Sequence, residues 1–186
     1  MTGRPLTAPF EGASLALVAP LLRHAGDSLR WVSDPDVCRL MGMDFSNVSL
    51  EGEQARIRQL TQTDDGIYWF IRLDGQLVGN ASLHSFAKDR ERYGVKAGTY
   101  TIMIGDRPSQ GRGVGTAVTR AVFDWAFGEG GFELVVARVA EQNAPSLGIM
   151  RKLGLSFAGT TPNRQGTPAD VQEWQLWEIR KEDWKK

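Results

Sequence analysis

At 186 residues the chain is long enough to bury a full core, and it is most simply one domain over residues 1–186. Its 22 lysines and arginines balance 22 aspartates and glutamates, so no basic excess points to nucleic acid and no acidic tail appears. Cys38 is the only cysteine, and His24 and His84 are the only histidines. That excludes intramolecular disulfides and cysteine-based zinc sites, and makes a metal centre an unexpected feature. Apolar runs are too short to cross a bilayer, and the stretch from Met1 to Leu6 lacks the apolar core of a signal peptide. A cytoplasmic protein with no membrane association is the expectation.

Residues 1–12, with Pro5, Pro9 and Gly12, read as an irregular lead-in. Ser14 to Val18 has the look of a first strand. Residues 24–41 suggest two short helices broken at Asp34-Pro35, and residues 41–47 a loop. Ser49 is placed to cap a helix reaching about Thr61. The period then changes to two. Residues 68–73 and 76–83 flank Asp74-Gly75, a two-residue hairpin signal. A polar linker over 88–92 leads to a strand at 99–104. From Val114, apolar residues recur at three- and four-residue steps through Ala126, giving a helix that the glycines after Phe127 stop. A central strand follows at 134–139. Asn143 then caps a helix with Pro145 in its first turn, ending at Arg151-Lys152 and Gly154. Late strands are expected at 156–160 and 171–179. A hairpin first and a βαβ-like part second make this mixed α+β rather than a doubly wound sheet.

The segment Gln110-Gly111-Arg112-Gly113-Val114-Gly115 joins the strand ending at Ile104 to the helix at Val114. A glycine loop that opens a helix offers bare backbone N–H groups to an anion, with the positive end of the helix dipole behind them. A diphosphate fits there without a metal. No Gly-Lys pair exists for a Walker A loop, and the dinucleotide fingerprint fails in both registers, at Thr116 and at Val118. The pattern that fits is Gln-x-x-Gly-x-Gly, on Gln110, Gly113 and Gly115. A strand-to-helix turn that binds nothing is the alternative.

This loop resembles the pyrophosphate loop of the GNAT superfamily of coenzyme A-dependent N-acyltransferases. Asn143-Ala-Pro-Ser146 followed by Met150-Arg-Lys-Leu-Gly-Leu155 resembles a second family segment at the right distance. Leu21-Leu-Arg, Gly26-Asp27, Trp31 and Asp34-Pro-Asp-Val37 resemble the family's front end, and Arg180 to Trp184 its close. Together these segments resemble the branch of ribosomal-protein-alanine N-acetyltransferases and their relatives. The resemblance implies a mostly antiparallel sheet of about seven strands with flanking helices, and a splayed strand pair that takes acetyl-CoA as co-substrate.

It also implies roles. Met103, Ile104 and Gly105 pair with the pantetheine arm, and an N–H at Met103 or Ile104 polarises the thioester. Gln110, Gly111, Arg112, Gly113, Val114, Gly115 and Thr116 hold the pyrophosphate, with Gly113 and Gly115 leaving room for its approach. Asn143 either bonds the pantetheine or only caps its helix. The family's usual acid, a tyrosine seven residues past that Asn, is replaced by Met150, so Ser146 is the candidate acid or a packing residue of the turn. Both positions where relatives carry a glutamate base hold other residues, Arg138 and Gln165. His84 is one candidate base, with Asp106, Glu141 and Asp170 able to relay protons through water, and a water chain with no dedicated base is the alternative. The acceptor is a primary amine, either a protein N-terminus or a small molecule such as an aminoglycoside or polyamine. A non-catalytic acyl-CoA-binding module is a further alternative. No metal is implied, and the chain is a monomer or a homodimer.

Overall fold

The computed structural model describes residues 4–42, 48–162 and 173–185. Eight strands form one sheet in the order β1-β2-β3-β4-β5-β6-β8-β7. They are β1 (Leu6–Ala8), β2 (Leu15–Val18), β3 (Gly66–Leu73), β4 (Gln76–His84), β5 (Ala97–Ile104), β6 (Leu134–Ala140), β7 (Ser156–Pro162) and β8 (Glu173–Arg180). The helices are α1 (Ala25–Val32), α2 (Pro35–Met41), α3 (Leu50–Gln62), α4 (Ala87–Tyr93), α5 (Val114–Phe127) and α6 (Ala144–Lys152). Every pairing is antiparallel except β5 with β6.

The α+β class stands, with two corrections of detail. The lead-in is not wholly irregular, because Leu6–Ala8 pairs with Leu15–Leu17 and raises the strand number to eight. Its prolines bracket only the three paired residues, and the Trp69 indole N–H holds the chain just before them by donating to the Arg4 carbonyl at 2.8 Å. The polar linker at 88–92 is the helix α4. Its Asp89 is 7% exposed and accepts from the Thr99 hydroxyl at 3.1 Å, so a charged residue is what docks this helix on β5. That reverses the usual sign of amphipathic reading.

The hairpin turn has φ +48° at Asp74 and +83° at Gly75, the two positive values that suit a two-residue connection. Alternation along the strands then sorts side chains to two faces. Tyr100, Ile102 and Ile104 face the larger core, where Val118, Val122 and Phe123 of α5 are fully buried. Met103 and Phe70 face the smaller core under α1, α2 and α3, with Trp31, Val37 and Ile57. The Ser49 hydroxyl caps α3 from Gly52 N–H at 3.1 Å, and Asp34 caps α2. The α3 helix is tied to α1 through a charge network: buried Glu53 accepts from Ser28 and from Arg56. Burial opposes the charge of Glu53, but Arg56 and Ser28 outweigh it and hold the carboxyl below its ordinary pKa. Among the described residues no helix is long and apolar enough to cross a membrane.

Candidate active site

β5 and β6 pair only from Ala97–Leu134 to Tyr100–Ala137. Beyond that point β5 stays with β4 as far as Ile104, while β6 stays with β8 as far as Ala140. The two parallel strands therefore part, and Thr101 to Ile104 and Arg138 to Ala140 face each other across a gap. Two adjoining cavities fill it, of about 420 Å³ toward the glycine loop and about 330 Å³ toward β8. Leu40, Met41, Ile102, Asn143 and Ser146 line both.

Register decides which backbone groups reach the gap. Gly105 N–H donates to Val78 O at 2.9 Å, and Asp106 N–H reaches the same carbonyl at 3.0 Å, a bulge at the end of β5. Gly105 opposite Val78 and Met103 opposite Asn80 are the hydrogen-bonded positions of the β4–β5 ladder, so the Met103 and Gly105 N–H groups are committed to β4. The N–H groups of Ile102 and Ile104 point the other way, into the gap. The Met103 side chain belongs to the smaller core. Gly105 has a packing reason: a Cβ there would stand 2.1 Å from Cγ of Trp31.

The Gln110 side chain donates to the Ile104 carbonyl at 2.8 Å and clasps the loop to the strand. Gly111 and Gly113 have φ of +72° and +87°, left-handed values that favour glycine. Gly113 is the N-cap of α5 and offers no capping side chain, and the first turn carries no acid. The helix thus opens with Val114, Gly115 and Thr116 N–H groups uncapped by a side chain beside the larger cavity. Gly115 is crowded rather than open, since a Cβ there would meet Ile149 Cδ1 at 2.9 Å. Arg112 stands exposed beside the loop.

Asn143 caps α6 through Oδ1, which accepts from Ser146 N–H at 3.1 Å, and donates from Nδ2 to the Leu40 carbonyl at 2.9 Å. It is 7% exposed, so both heteroatoms of this side chain serve the joint between α6 and α2. Ser146 lies half-buried where the two cavities meet, and Met150 closes the floor of the smaller one. Arg138 is half-buried and is the charged residue among the described ones lining the smaller cavity.

His84 is the last residue of β4, opposite Thr99, and its neighbour on the same face, Ser82, is opposite Thr101. Both threonines line the smaller cavity. The Ser82 hydroxyl is 3.0 Å from His84 Nε2 and the Tyr68 hydroxyl is 3.1 Å from Nδ1. Phe86 stacks on the ring at 5.2 Å. Burial pushes the imidazole pKa down against the fields of Asp65 and Asp89, so His84 is neutral at neutral pH. Strand spacing of two could have paired Ser82 with His84; Tyr68 and the threonines needed the sheet order.

The other candidates are not grouped with these. The Asp106 carboxylate accepts from the Ser109 hydroxyl, and Glu141 is exposed. Gln165, Asp170 and most of the 41–47 loop lie outside the described residues. Cys38 is buried, with Sγ 3.4 Å from the Val32 carbonyl, and burial, with Asp34 beside it, pushes its thiol up to about 12.

A parted parallel strand pair beside a glycine-opened helix with no side-chain cap defines an acyltransferase fold. A sequence profile of the acetyltransferase (GNAT) domain matches residues 14–156. The chain belongs to that family and is an acetyl-CoA-dependent N-acyltransferase. An N-acetyltransferase 9-like protein of Caenorhabditis briggsae is 24% identical over 135 residues, covering 69% of this chain and 67% of the relative. Among solved structures, the ribosomal L7/L12 alpha-N-protein acetyltransferase RimL in complex with coenzyme A aligns with a TM-score of 0.78. It is 15% identical over 94% of this chain and 97% of that one. Spermidine N-acetyltransferase from Vibrio cholerae, in complex with CoA and spermine, aligns at 0.77 with 13% identity, over 91% and 96%.

Proposed function

We propose that the chain acetylates the N-terminal amine of a protein or peptide, by direct attack on acetyl-CoA within a ternary complex. The parting of β5 from β6 beside the α5 N-terminus carries this reading. The larger cavity takes the coenzyme: Gly111 to Thr116 hold the pyrophosphate, and the pantetheine lies along the free edge of β5. Ile104 N–H, aimed into the gap, polarises the thioester carbonyl. The smaller cavity takes the acceptor. His84, reached through Ser82 and Thr101, removes the proton of the attacking amine, and Ser146 donates a hydrogen bond to the departing thiolate.

The lining of the smaller cavity favours a peptide over a polycation. A polyamine or aminoglycoside site attracts its substrate with carboxylates, whereas this lining presents Arg138 and no carboxylate among the described residues. Glu53 is engaged with Arg56 and Ser28 and offers no free carboxylate.

The test is calorimetric titration with acetyl-CoA and CoA, followed by a thiol-release screen of N-terminal peptides, spermidine and an aminoglycoside. Saturable coenzyme binding with turnover on peptides supports the proposal. Turnover on spermidine alone moves the acceptor to the small amines. Binding with no turnover on any amine reduces the protein to a coenzyme-binding module.

A further inference from the structure

On the α1 face of the sheet, at the end where β5 stops, lies a polar cleft of about 690 Å³. It shares no lining residue with the two cavities of the gap. Four arginines line it, Arg23, Arg30, Arg72 and Arg107, against Asp27 and Asp106. Both acids already have partners, Asp27 with Arg30 at 2.5 Å and Asp106 with the Ser109 hydroxyl. Arg107 is bound to Asp34 and Asp36. Arg23 and Arg72 have no carboxylate partner among the described residues.

Two buried donors are also unpartnered here. His24 is 4% exposed, and its Nδ1 accepts from Leu21 N–H at 3.3 Å, which puts the ring proton on Nε2. Nε2 is buried without a partner, and so is Nε of Arg72. A buried donor without an acceptor costs about 1–3 kcal/mol, so two of them lining one cleft are a demand for an acceptor. Arg72 and Phe70 share the α1 face of β3, the His24 ring meets Phe70 edge-on at 5.1 Å, and both His24 and Arg72 line the cleft. Burial, then Arg23 and Arg72, hold the His24 pKa below its ordinary value against Asp27, as expected where cations crowd an imidazole.

We propose that this cleft binds the phosphate group of a small molecule, held by His24 Nε2–H, Arg72 Nε–H and the guanidinium of Arg23. A phosphate dianion supplies acceptors to all three and a counter-charge to Arg23 and Arg72, the two arginines of the cleft without a carboxylate partner among the described residues. Arg107 and Asp106 form the rim and also lead into the glycine loop, so the site abuts the back of the coenzyme loop without entering it.

The experiment follows the His24 imidazole by NMR in the full chain, whose two histidines leave one other ring to distinguish. Inorganic phosphate and glycerol phosphate are titrated at constant ionic strength, with sodium chloride as control. The expected result is a saturable change at His24 Nε2 and none at His84. It persists in Gly113→Glu and weakens about tenfold or more in Arg23→Ala and in Arg72→Met. Arg23 is exposed, so its variant reads binding without a folding penalty. Tighter binding of glycerol phosphate assigns the site to a phosphomonoester, and equal binding to free phosphate. A response that sodium chloride reproduces, that Arg23→Ala leaves unchanged, or that disappears in Gly113→Glu overturns the proposal. So does no response, which leaves the cleft to water.

Discussion

The two ends of the gap between β5 and β6 are built from different material. The end proposed for the coenzyme is main chain: a glycine loop, the first turn of α5 and the free edge of β5. The end proposed for the acceptor is side chains drawn from α2, β4, β5, β6, α6, β7 and β8. Backbone donors suit a ligand that never changes, because almost any sequence with the right glycines presents them. Side chains suit a ligand that differs between relatives, because each can be exchanged without moving the strands.

The sharpest break of this contrast is Gly113→Glu. A residue with a Cβ is strained at φ +87°, and the new carboxylate faces the pyrophosphate. Calorimetry is expected to lose saturable acetyl-CoA binding, while circular dichroism keeps the fold. Binding that survives removes the loop from the coenzyme site.

Next is His84→Gln at the acceptor end. It is expected to lower kcat/KM about 10²-fold while leaving acetyl-CoA affinity unchanged. The wild-type rate should hold at neutral pH and fall on acidification below the ordinary imidazole value of 6.5, because the pKa is lowered and the base must be neutral. That limb should vanish in the variant. A variant with the wild-type profile leaves the proton to water alone.

Arg138→Glu sharpens the substrate side. Placing a carboxylate in the smaller cavity should raise kcat/KM for spermidine by about tenfold and reduce it for peptides carrying an acidic second residue. Unchanged ratios would mean that Arg138 does not meet the acceptor.

Asn143 belongs to both ends. Asn143→Ala should cost about 1–2 kcal/mol in chemical denaturation, for the lost cap and the lost tie to Leu40. Asn143→Asp keeps an acceptor for Ser146 N–H but sets an oxygen against the Leu40 carbonyl, so its difference from the wild type reports the tie between α6 and α2, and its difference from Ala the cap.

The smallest effect concerns the Asp34–Arg107 pair, which joins α2 to the turn before the glycine loop at 2.7 Å. The side-chain hydrogen bonds from Arg107 lower the Asp34 pKa to about 2 from its ordinary 3.8. Because the folded value is depressed, the contribution is present above 3.8 and fades as pH falls toward about 2. The melting temperatures of wild type and Arg107→Met should therefore differ slightly at neutral pH and converge in acid. The pair is exposed, so salt should shrink the gap too.

The backbone of the glycine-loop end, proposed for the coenzyme, was legible in the sequence because its signal is local. Gln110, Gly113 and Gly115 stand within one turn, and Asn143 announces a cap by its place before Ala144-Pro145. Even there the reasons shifted: Gly115 packs against the tip of Ile149 and Gly105 is needed against Trp31, contacts between elements far apart in the chain. Choosing Ile104 over Met103 required the strand register. The acceptor end was less legible for the same physical reason. Thr101, Ser82 and Tyr68 become neighbours only through cross-strand pairing, and Arg138 shows its position only once β5 and β6 part. The α4 helix was hidden because its buried contact is an aspartate, and β1 because three residues between prolines carry no period.

Cys38 has a practical consequence. The protein's sole sulfhydryl is buried and keeps its proton through the physiological range. A chromogenic thiol reagent added to the folded protein should therefore meet almost no background, and colour during turnover should report released coenzyme alone. The same reagent without substrate, under denaturant, should register one equivalent per chain as the chain opens. One dye thus serves as a clock for the reaction and as a gauge of unfolding, with no engineered label.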